Sequence, residues 1–87
     1  MTKHNLYKNM TASGVVKASG GILMGMYVNS TTAGTIKLWD NPTAGSGTVI
    51  NNTITPAVGY HNLGGAVAST GLFATITGTL DVTLYYE

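Results

Sequence analysis

Few side chains of this 87-residue chain could take part in acid–base or nucleophilic chemistry. The acids are Asp40, Asp81 and Glu87, there are two histidines, and there is no cysteine. A paired-carboxylate site would need two of these three acids to converge. His61 could combine with Asp40 and a serine in a triad, but the chain has no nucleophile-elbow pattern. We therefore predict that the protein is not an enzyme and has no catalytic residue.

The sequence also argues against a metal or phosphate site. With no cysteine and two histidines, a structural zinc site is not expected. Asp40 and Asn41 could offer oxygen ligands to Ca²⁺, but one carboxylate is too few for such a site. A side-chain-capped turn after the strand fits these two residues better. The Gly45–Gly47 segment lacks the Lys-Ser/Thr pair of a phosphate-binding loop, so we predict no metal and no cofactor.

Aromatic residues are the better candidates for function, because Trp and Tyr are enriched at the dominant positions of protein interfaces. Alternation along the chain places Trp39 on the face opposite Ile36 and Leu38. Tyr27 and Tyr85 likewise fall on the outer faces of their strands. Three outer aromatic residues favour a shared apolar surface. Two alternatives stay open: Trp39 could cover the rim of the core, and all three could stack on a sugar.

Charge is unusually scarce in this chain. Asp, Glu, Lys and Arg together make up 8% of the residues, whereas a soluble domain usually has about 25%. A small β protein with so few charges risks edge-to-edge association, and oligomerisation is the usual extra source of burial for a short chain without disulfides. The composition therefore indicates a surface covered by neighbouring subunits. The net charge of +1 gives no electrostatic reason to expect nucleic acid or an anionic membrane as partner.

From Ser13 onward, apolar and polar residues alternate with a period of two, which predicts β-strands. The predicted strands are Gly14–Ala18, Gly21–Asn29, Thr35–Asp40, Thr48–Thr55, Leu72–Thr77 and Leu80–Tyr86, with Val58–Leu63 as a further candidate. Turns are predicted at Asn29–Ala33, Asn41–Gly47 and Thr77–Thr79. We expect an all-β fold, a small antiparallel β-sandwich of six to eight short strands. A jelly-roll-like order comes first, and an immunoglobulin-like order or an open barrel are the alternatives.

Within the Gly21–Asn29 strand, the alternation has a specific consequence for the core. It places Ile22, Met24, Met26 and Val28 on the buried face. It places Leu23 on the opposite face with Tyr27.

The domain is predicted to span residues 13–87, with an N-terminal arm at residues 1–12. The arm has no clear period and no signal-peptide pattern. It fits either a frayed terminus or an extended segment that docks on a neighbour through Leu6 and Tyr7. The complete set of expected protein-interface residues is Leu6, Tyr7, Tyr27, Trp39 and Tyr85.

Four stretches carry a distinctive pattern. They are Gly25–Asp40 with its V-N-S-T-T-A-G-T-I-K-L-W-D core, Gly47–Ile50, Thr70–Ala74 with its T-G-L strand, and Leu80–Glu87 with its D-V-T-L-Y-Y ending. Together they resemble small β-sandwich virion structural proteins of tailed bacteriophages, of the head-decoration or fibre-associated type. The resemblance covers residues 14–87 and implies a non-enzymatic role on the particle. It transfers no catalytic or metal-binding residue.

The resemblance and the low charge together lead us to expect a capsid decoration or cement protein on the outside of the head. Its partners would be the major capsid protein and its own copies, with no nucleic acid and no membrane. A homotrimer is expected, because cyclic symmetry lets one patch serve three times. The protein would be made in the host cytoplasm and located in the virion, at the capsid surface. The alternatives are a tail, fibre or baseplate component, or a host-glycan-binding module.

Overall fold

The computed structural model describes residues 6–87, which form an all-β domain. Its six strands are β1 (Leu6–Met10), β2 (Gly14–Lys17), β3 (Gly21–Asp40), β4 (Thr48–Ile54), β5 (Gly59–Ala68) and β6 (Leu72–Tyr86). All strand pairings are antiparallel. The predicted all-β, antiparallel fold of six to eight strands is therefore confirmed. No helix in the described range is long and apolar enough to cross a membrane.

Two long strands, β3 and β6, form the centre of the sheet and pair along almost their whole length, from Leu23–Tyr86 to Trp39–Phe73. The other four strands flank them in sheet order β1-β6-β3-β4, with β2 also on β6 and β5 also on β3. We call the first half of the sheet the part formed by β1, β5 and the adjoining ends of β3 and β6. The second half contains β2, β4 and the remaining parts of β3 and β6.

The two halves are joined where β3 and β6 are irregular. Thr79 of β6 pairs with both Thr32 and Ala33 of β3, and Ala33 has a φ of 53°. Gly78 on the facing strand has a φ of 71°, and a Cβ there would stand 2.8 Å from the Ala33 carbonyl oxygen. Bulges let a strand bend while the pairing continues. The chain reversals predicted at residues 29–33 and 77–79 are therefore wrong, because both segments are bends within continuous strands.

The hydrophobic core draws on both halves of the sheet. Its buried residues form one cluster: Met10, Val16, Leu23, Met26, Val28, Ile36, Leu38, Ala68, Leu72, Ala74, Ile76, Leu80, Val82 and Leu84. A single open layer would leave both of its faces in water. Full burial in both halves therefore means that they face each other as two layers of a sandwich. The shortest extent of the domain, 17 Å, fits two layers about 10 Å apart.

The core assignment in the first part of β3 differs from the predicted one. Leu23 is fully buried together with Met26, whereas Ile22 and Met24 are only half-buried. A register shift lies between Leu23 and Gly25, which pair with the consecutive residues Tyr86 and Tyr85 of β6, so β3 has one extra residue, Met24, opposite β6. Such a bulge moves every residue before it to the other face of the strand. The predicted placement of Ile22 and Met24 inside and Leu23 outside is therefore wrong.

The described part of the predicted arm belongs to the sheet. Leu6–Met10 forms β1 and pairs with β6 from Tyr86 to Val82. Met10 is buried in the core, whereas Leu6 is 48% and Tyr7 is 72% exposed. Residues 6–10 are thus an edge strand of their own chain's sheet, and residues 1–5 of the predicted arm lie outside the described residues.

Candidate binding face

The two outer faces of the sandwich differ in how much of the chain covers them. On the second half, the indole Nε1 of Trp39 donates to Thr75 Oγ1 at 3.0 Å. The Lys37 ammonium lies 4.4 Å from the centre of the Trp39 ring. Gly45 of the β3–β4 loop lies so close that a Cβ there would be 3.3 Å from Trp39 Nε1. Trp39 faces outward as predicted, but its own chain covers it.

Asn41 shapes the loop that covers Trp39. Its Oδ1 accepts hydrogen bonds from the backbone N–H groups of Thr43 and Ala44, both at 2.9 Å. Its Nδ2 donates to the Ser46 carbonyl oxygen at 3.1 Å. Asn side chains favour such turns because they replace backbone hydrogen bonds. The side-chain-capped turn predicted after this strand is confirmed.

Asp40 has a structural role at the end of β3. Its carboxylate accepts from the backbone N–H groups of Thr70 at 2.8 Å, Ser69 at 2.9 Å and Gly71 at 3.3 Å, and from Thr70 Oγ1 at 2.9 Å. The N–H of Thr70, followed by that of Ser69, lowers the pKa of Asp40 to about 2. Hydrogen bonds to the charged form lower a carboxyl pKa in this way. Asp40 thus ties the end of β3 to the β5–β6 turn.

The residues considered for catalysis and metal binding do not form a site. The Ala57 carbonyl oxygen accepts from His61 Nε2 at 2.8 Å, so the hydrogen bond of His61 goes to backbone and not to Asp40. Within residues 6–87, no group of three or more His, Asp or Glu side chains could hold a metal ion.

The outer side of the first half carries a cluster of tyrosines that we call the tyrosine face, formed by Tyr7, Tyr27, Tyr60 and Tyr85. Tyr7 and Tyr85 are directly opposite each other on β1 and β6. Tyr27 and Tyr60 are opposite each other on β3 and β5. The Tyr60 and Tyr85 rings have centroids 6.4 Å apart and a tilt of 45°, a favourable aromatic geometry. These four residues lie on adjoining positions of one surface.

The structure brings together three of the five residues predicted for an interface: Tyr7, Tyr27 and Tyr85. Trp39 lies on the other outer face. Leu6 lies opposite Tyr86, which packs against the core, so Leu6 points to the inner side at the sheet edge. Tyr60 is not among the predicted residues, because Val58–Leu63 is only a candidate strand whose faces are not assigned. Its position beside Tyr27 depends on the pairing of β5 with β3, which local alternation does not signal.

Two aliphatic side chains, the half-buried Ile22 and the exposed Val67, lie on the same outer side of the sheet. Ile22 and Val67 are opposite each other on β3 and β5, next to the tyrosines. Val67 is 73% exposed, compared with 56% for Tyr60 and 42% for Tyr27. Exposed apolar side chains grouped on one outer face are typical of an interaction site.

A row of hydrogen-bonded polar groups borders the tyrosines. The amide nitrogens of Asn9 and Asn29 donate to Asp81 Oδ1 at 2.7 and 3.1 Å. Both also donate to Thr83 Oγ1, at 3.3 and 3.2 Å. The two hydrogen bonds to the Asp81 carboxylate lower its pKa, and the bond from Asn9 has the larger effect. Because both amides use their N–H groups here, their Oδ1 atoms stay available as acceptors.

Comparison with known proteins gave no match: no protein-family model, no curated protein and no solved structure is similar to this chain.

Proposed function

We propose that the protein is a non-enzymatic structural component of a bacteriophage particle, and specifically a decoration or cement protein on the outside of the head. The tyrosine face is the observation that carries this proposal. It exposes Tyr7, Tyr27, Tyr60 and Val67, with Tyr85 half-buried among them, on a chain in which only 8% of residues are charged. Burial of this face against other subunits would remove it from water, which stabilises the assembly.

The groups that the surface offers support a structural role. The candidate catalytic and metal-binding groups, Asp40 and His61, are engaged with backbone. The uncovered face instead presents side chains of the types that dominate protein interfaces. The bacteriophage assignment comes from the sequence resemblance over residues 14–87.

A decoration protein stabilises a shell by mass action. It binds junctions that only the assembled shell presents, so the assembled state gains binding free energy and the free coat subunit gains little. The proposed partners are accordingly the major capsid protein and other copies of this chain. The proposed location is the capsid surface of the virion, after synthesis in the host cytoplasm.

Cryo-electron microscopy of purified particles tests the proposal. We expect six-stranded density for this chain on the exterior of the head. Density on the tail, a fibre or the baseplate would contradict decoration and support the alternative structural location. Particles that lack the chain altogether would overturn the structural proposal.

A paired set of variants tests whether the tyrosine face is the contact surface. Tyr7→Ser combined with Tyr60→Ser should leave a folded protein that is depleted from the particle. Val49→Ser, which changes an exposed residue of the second half, should be incorporated like the wild type. Equal incorporation of both variants would show that another surface makes the contact.

One observation favours a second candidate function, binding of a host glycan. The tyrosine rings lie beside the Asn9–Asp81–Asn29 row, and sugars combine apolar ring faces that stack with hydroxyl groups that hydrogen-bond. A glycan array probed with the protein, displayed multivalently to allow for weak single sites, tests this function. Binding that Tyr60→Ser abolishes would support it, and a blank array would remove it.

A further inference from the structure

We infer that the tyrosine face binds the tyrosine face of a second copy of this chain, so that two copies pair across a twofold axis. The inference rests on the proposed structural function and names the partner at that surface. Four features of the described residues lead to it: the irregular sheet edges, the charge of the face, its hydrogen-bonding groups and its size.

The sheet edges are poorly suited to association by strand addition. On β1, Lys8 is opposite the core residue Leu84 and therefore on the inner side of the strand. Its ammonium donates to the Val15 carbonyl oxygen at 2.8 Å. Inward-pointing charges on edge strands are a common protection against edge-to-edge pairing. The neighbouring edge strand, β2, has a register shift between Val15 and Lys17.

The edges on the other side of the sheet are interrupted as well. The pairing of β4 with β3 is irregular at two places, around Leu38. β5 contains Gly64 and Gly65, which have φ values of 73° and 71° and lie at the register shift. Because bulges twist an edge away from a regular ladder, a partner strand would find no long regular edge. Association through the broad face is the better alternative.

The charge of the face favours an uncharged partner surface. Asp81 is the charged residue of the polar row, and its Oδ1 already accepts hydrogen bonds from Asn9 and Asn29. The lysines among the described residues lie elsewhere: Lys8 and Lys17 donate to backbone carbonyl groups, and Lys37 stacks on Trp39. Glu87, whose backbone pairs with Ile22, adds one further carboxylate at the end of the face. With two acids and no lysine, the face offers little charge to a strongly charged partner, whereas a second tyrosine face is equally apolar.

The hydrogen-bonding groups of the face complement each other. Tyrosine hydroxyls can donate, and the side-chain hydrogen bonds described for the Asn9–Asp81–Asn29 row use none of them. The amide oxygens of Asn9 and Asn29 can accept. In a twofold pair each copy supplies both donors and acceptors, so every such contact occurs twice. The hydroxyls can therefore keep hydrogen-bonding partners when the rings are buried.

The size of the face sets the strength of the pair. The face spans four strands about 4.8 Å apart and about seven residues along each strand, at a rise of about 3.4 Å per residue. Its area is therefore roughly 450 Å² per copy. Two such faces bury roughly 900 Å², which is below the range of stable specific interfaces and in the range of weak, transient ones. We therefore expect a reversible dimer with a Kd in the micromolar range or weaker. A twofold pair also differs from the cyclic trimer expected from the sequence.

Sedimentation velocity of the purified full chain over a concentration series, from about 1 μM to about 1 mM, tests the inference without any particle. The mass should rise from 9.0 kDa toward twice that value. Tyr60→Lys should stay monomeric, because it places an unpaired charge on the paired surface. Val49→Lys, an equivalent charge on the second half, should dimerise like the wild type.

Three outcomes would overturn the inference: a monomer at the highest concentration, a limiting mass of three copies, or equal dimerisation by Tyr60→Lys and the wild type. A photo-crosslinking amino acid in place of Tyr7 identifies which residues lie against the tyrosine face. Crosslinks to the tyrosine face of another copy support the pair, whereas crosslinks only to β4 residues or only to coat protein contradict it. A monomer that still decorates heads would overturn the pairing alone, and a dimer absent from particles would overturn the proposed function alone.

Discussion

The ring of Tyr60 lies directly over Gly25, so close that a Cβ atom built on Gly25 would stand 2.6 Å from Tyr60 Cζ. Gly25 is in β3, between β5, which carries Tyr60, and β6, which carries Tyr85. The missing side chain at position 25 therefore gives Tyr60 the space to reach across β3 toward Tyr85. The shape of the tyrosine face depends on this one glycine.

Gly25→Ala should rearrange the tyrosine face without unfolding the protein. The new methyl group displaces the Tyr60 ring, which is more than half exposed and can rotate into water. We expect a stability change within about 1 kcal/mol and a Kd for self-association raised roughly tenfold. Sedimentation measures the association, and near-ultraviolet circular dichroism follows the tyrosine environment. Thr53→Ala, at an exposed position of β4, is the control; unchanged association of Gly25→Ala would contradict the role given to Tyr60.

Regular alternation made part of the fold predictable. In Leu80–Tyr86 the alternation places Leu80, Val82, Leu84 and Tyr86 inside; the first three are buried and Tyr86 packs against the core half-buried, because this part of β6 has no bulge. At Leu23 the same reasoning failed, since β3 has an extra residue, Met24, opposite β6, and this bulge reverses the alternation before it. Alternation does not show where a strand bulges, because a bulge is defined by the register of the strand with its partner.

The binding face was only partly predictable for a similar reason. The outward direction of Tyr27 and Tyr85 follows from local alternation. The polar row depends on contacts between residues far apart in the chain, since Asn9 bonds to Asp81. The covering of Trp39 likewise depends on the path of the β3–β4 loop. Such long-range contacts need the strand order, which alternation does not provide.

The same substitution at two valines should separate the core from the tyrosine face. Val82 is fully buried between Met10 and Val28, its partners on β1 and β3. Val82→Asp buries a charge without a partner, so we expect a loss of more than about 4 kcal/mol, enough to unfold a domain of this size. Val67→Asp, at a 73% exposed position, should fold but not associate. Circular dichroism and urea unfolding show whether each variant is folded. A folded Val82→Asp variant would contradict the core assignment.

Trp39→Ala should lower the stability of the domain and leave self-association intact, unlike a substitution at an interface. Because Trp39 is bonded to Thr75 and covered by Lys37 and the Gly45 loop, its removal should destabilise the domain by about 2 kcal/mol. Self-association should persist. Trp39→Phe retains a ring but loses the Nε1–H donor, so a loss of about 1 kcal/mol is expected. Urea unfolding and sedimentation of the two variants measure these effects, and loss of association with unchanged stability would restore Trp39 as an interface residue.

Asp40 should make the domain less stable in acid. The pKa of Asp40 is lowered from its ordinary 3.8 to about 2 in the folded protein, so the folded state binds the proton less readily than the unfolded state. A depressed pKa contributes stability that is fully present above the unfolded value and is lost as the pH falls through the folded value. Stability should therefore decline between about pH 5 and about pH 2. Asp81, whose pKa is also lowered, should add to the decline in the same direction.

Asp40→Asn isolates the contribution of Asp40 from that of the other acids. At pH 7 the variant should have a lower Tm, since a neutral amide accepts the N–H groups of Ser69 and Thr70 less well than a carboxylate does. As the pH falls, the variant should lose less stability than the wild type, and the two Tm curves should converge near pH 2. Asp81→Asn serves as the matched control, because it removes the other shifted carboxylate. Parallel Tm curves for Asp40→Asn and the wild type would show that the bonds from the β5–β6 turn do not hold Asp40 in its charged form.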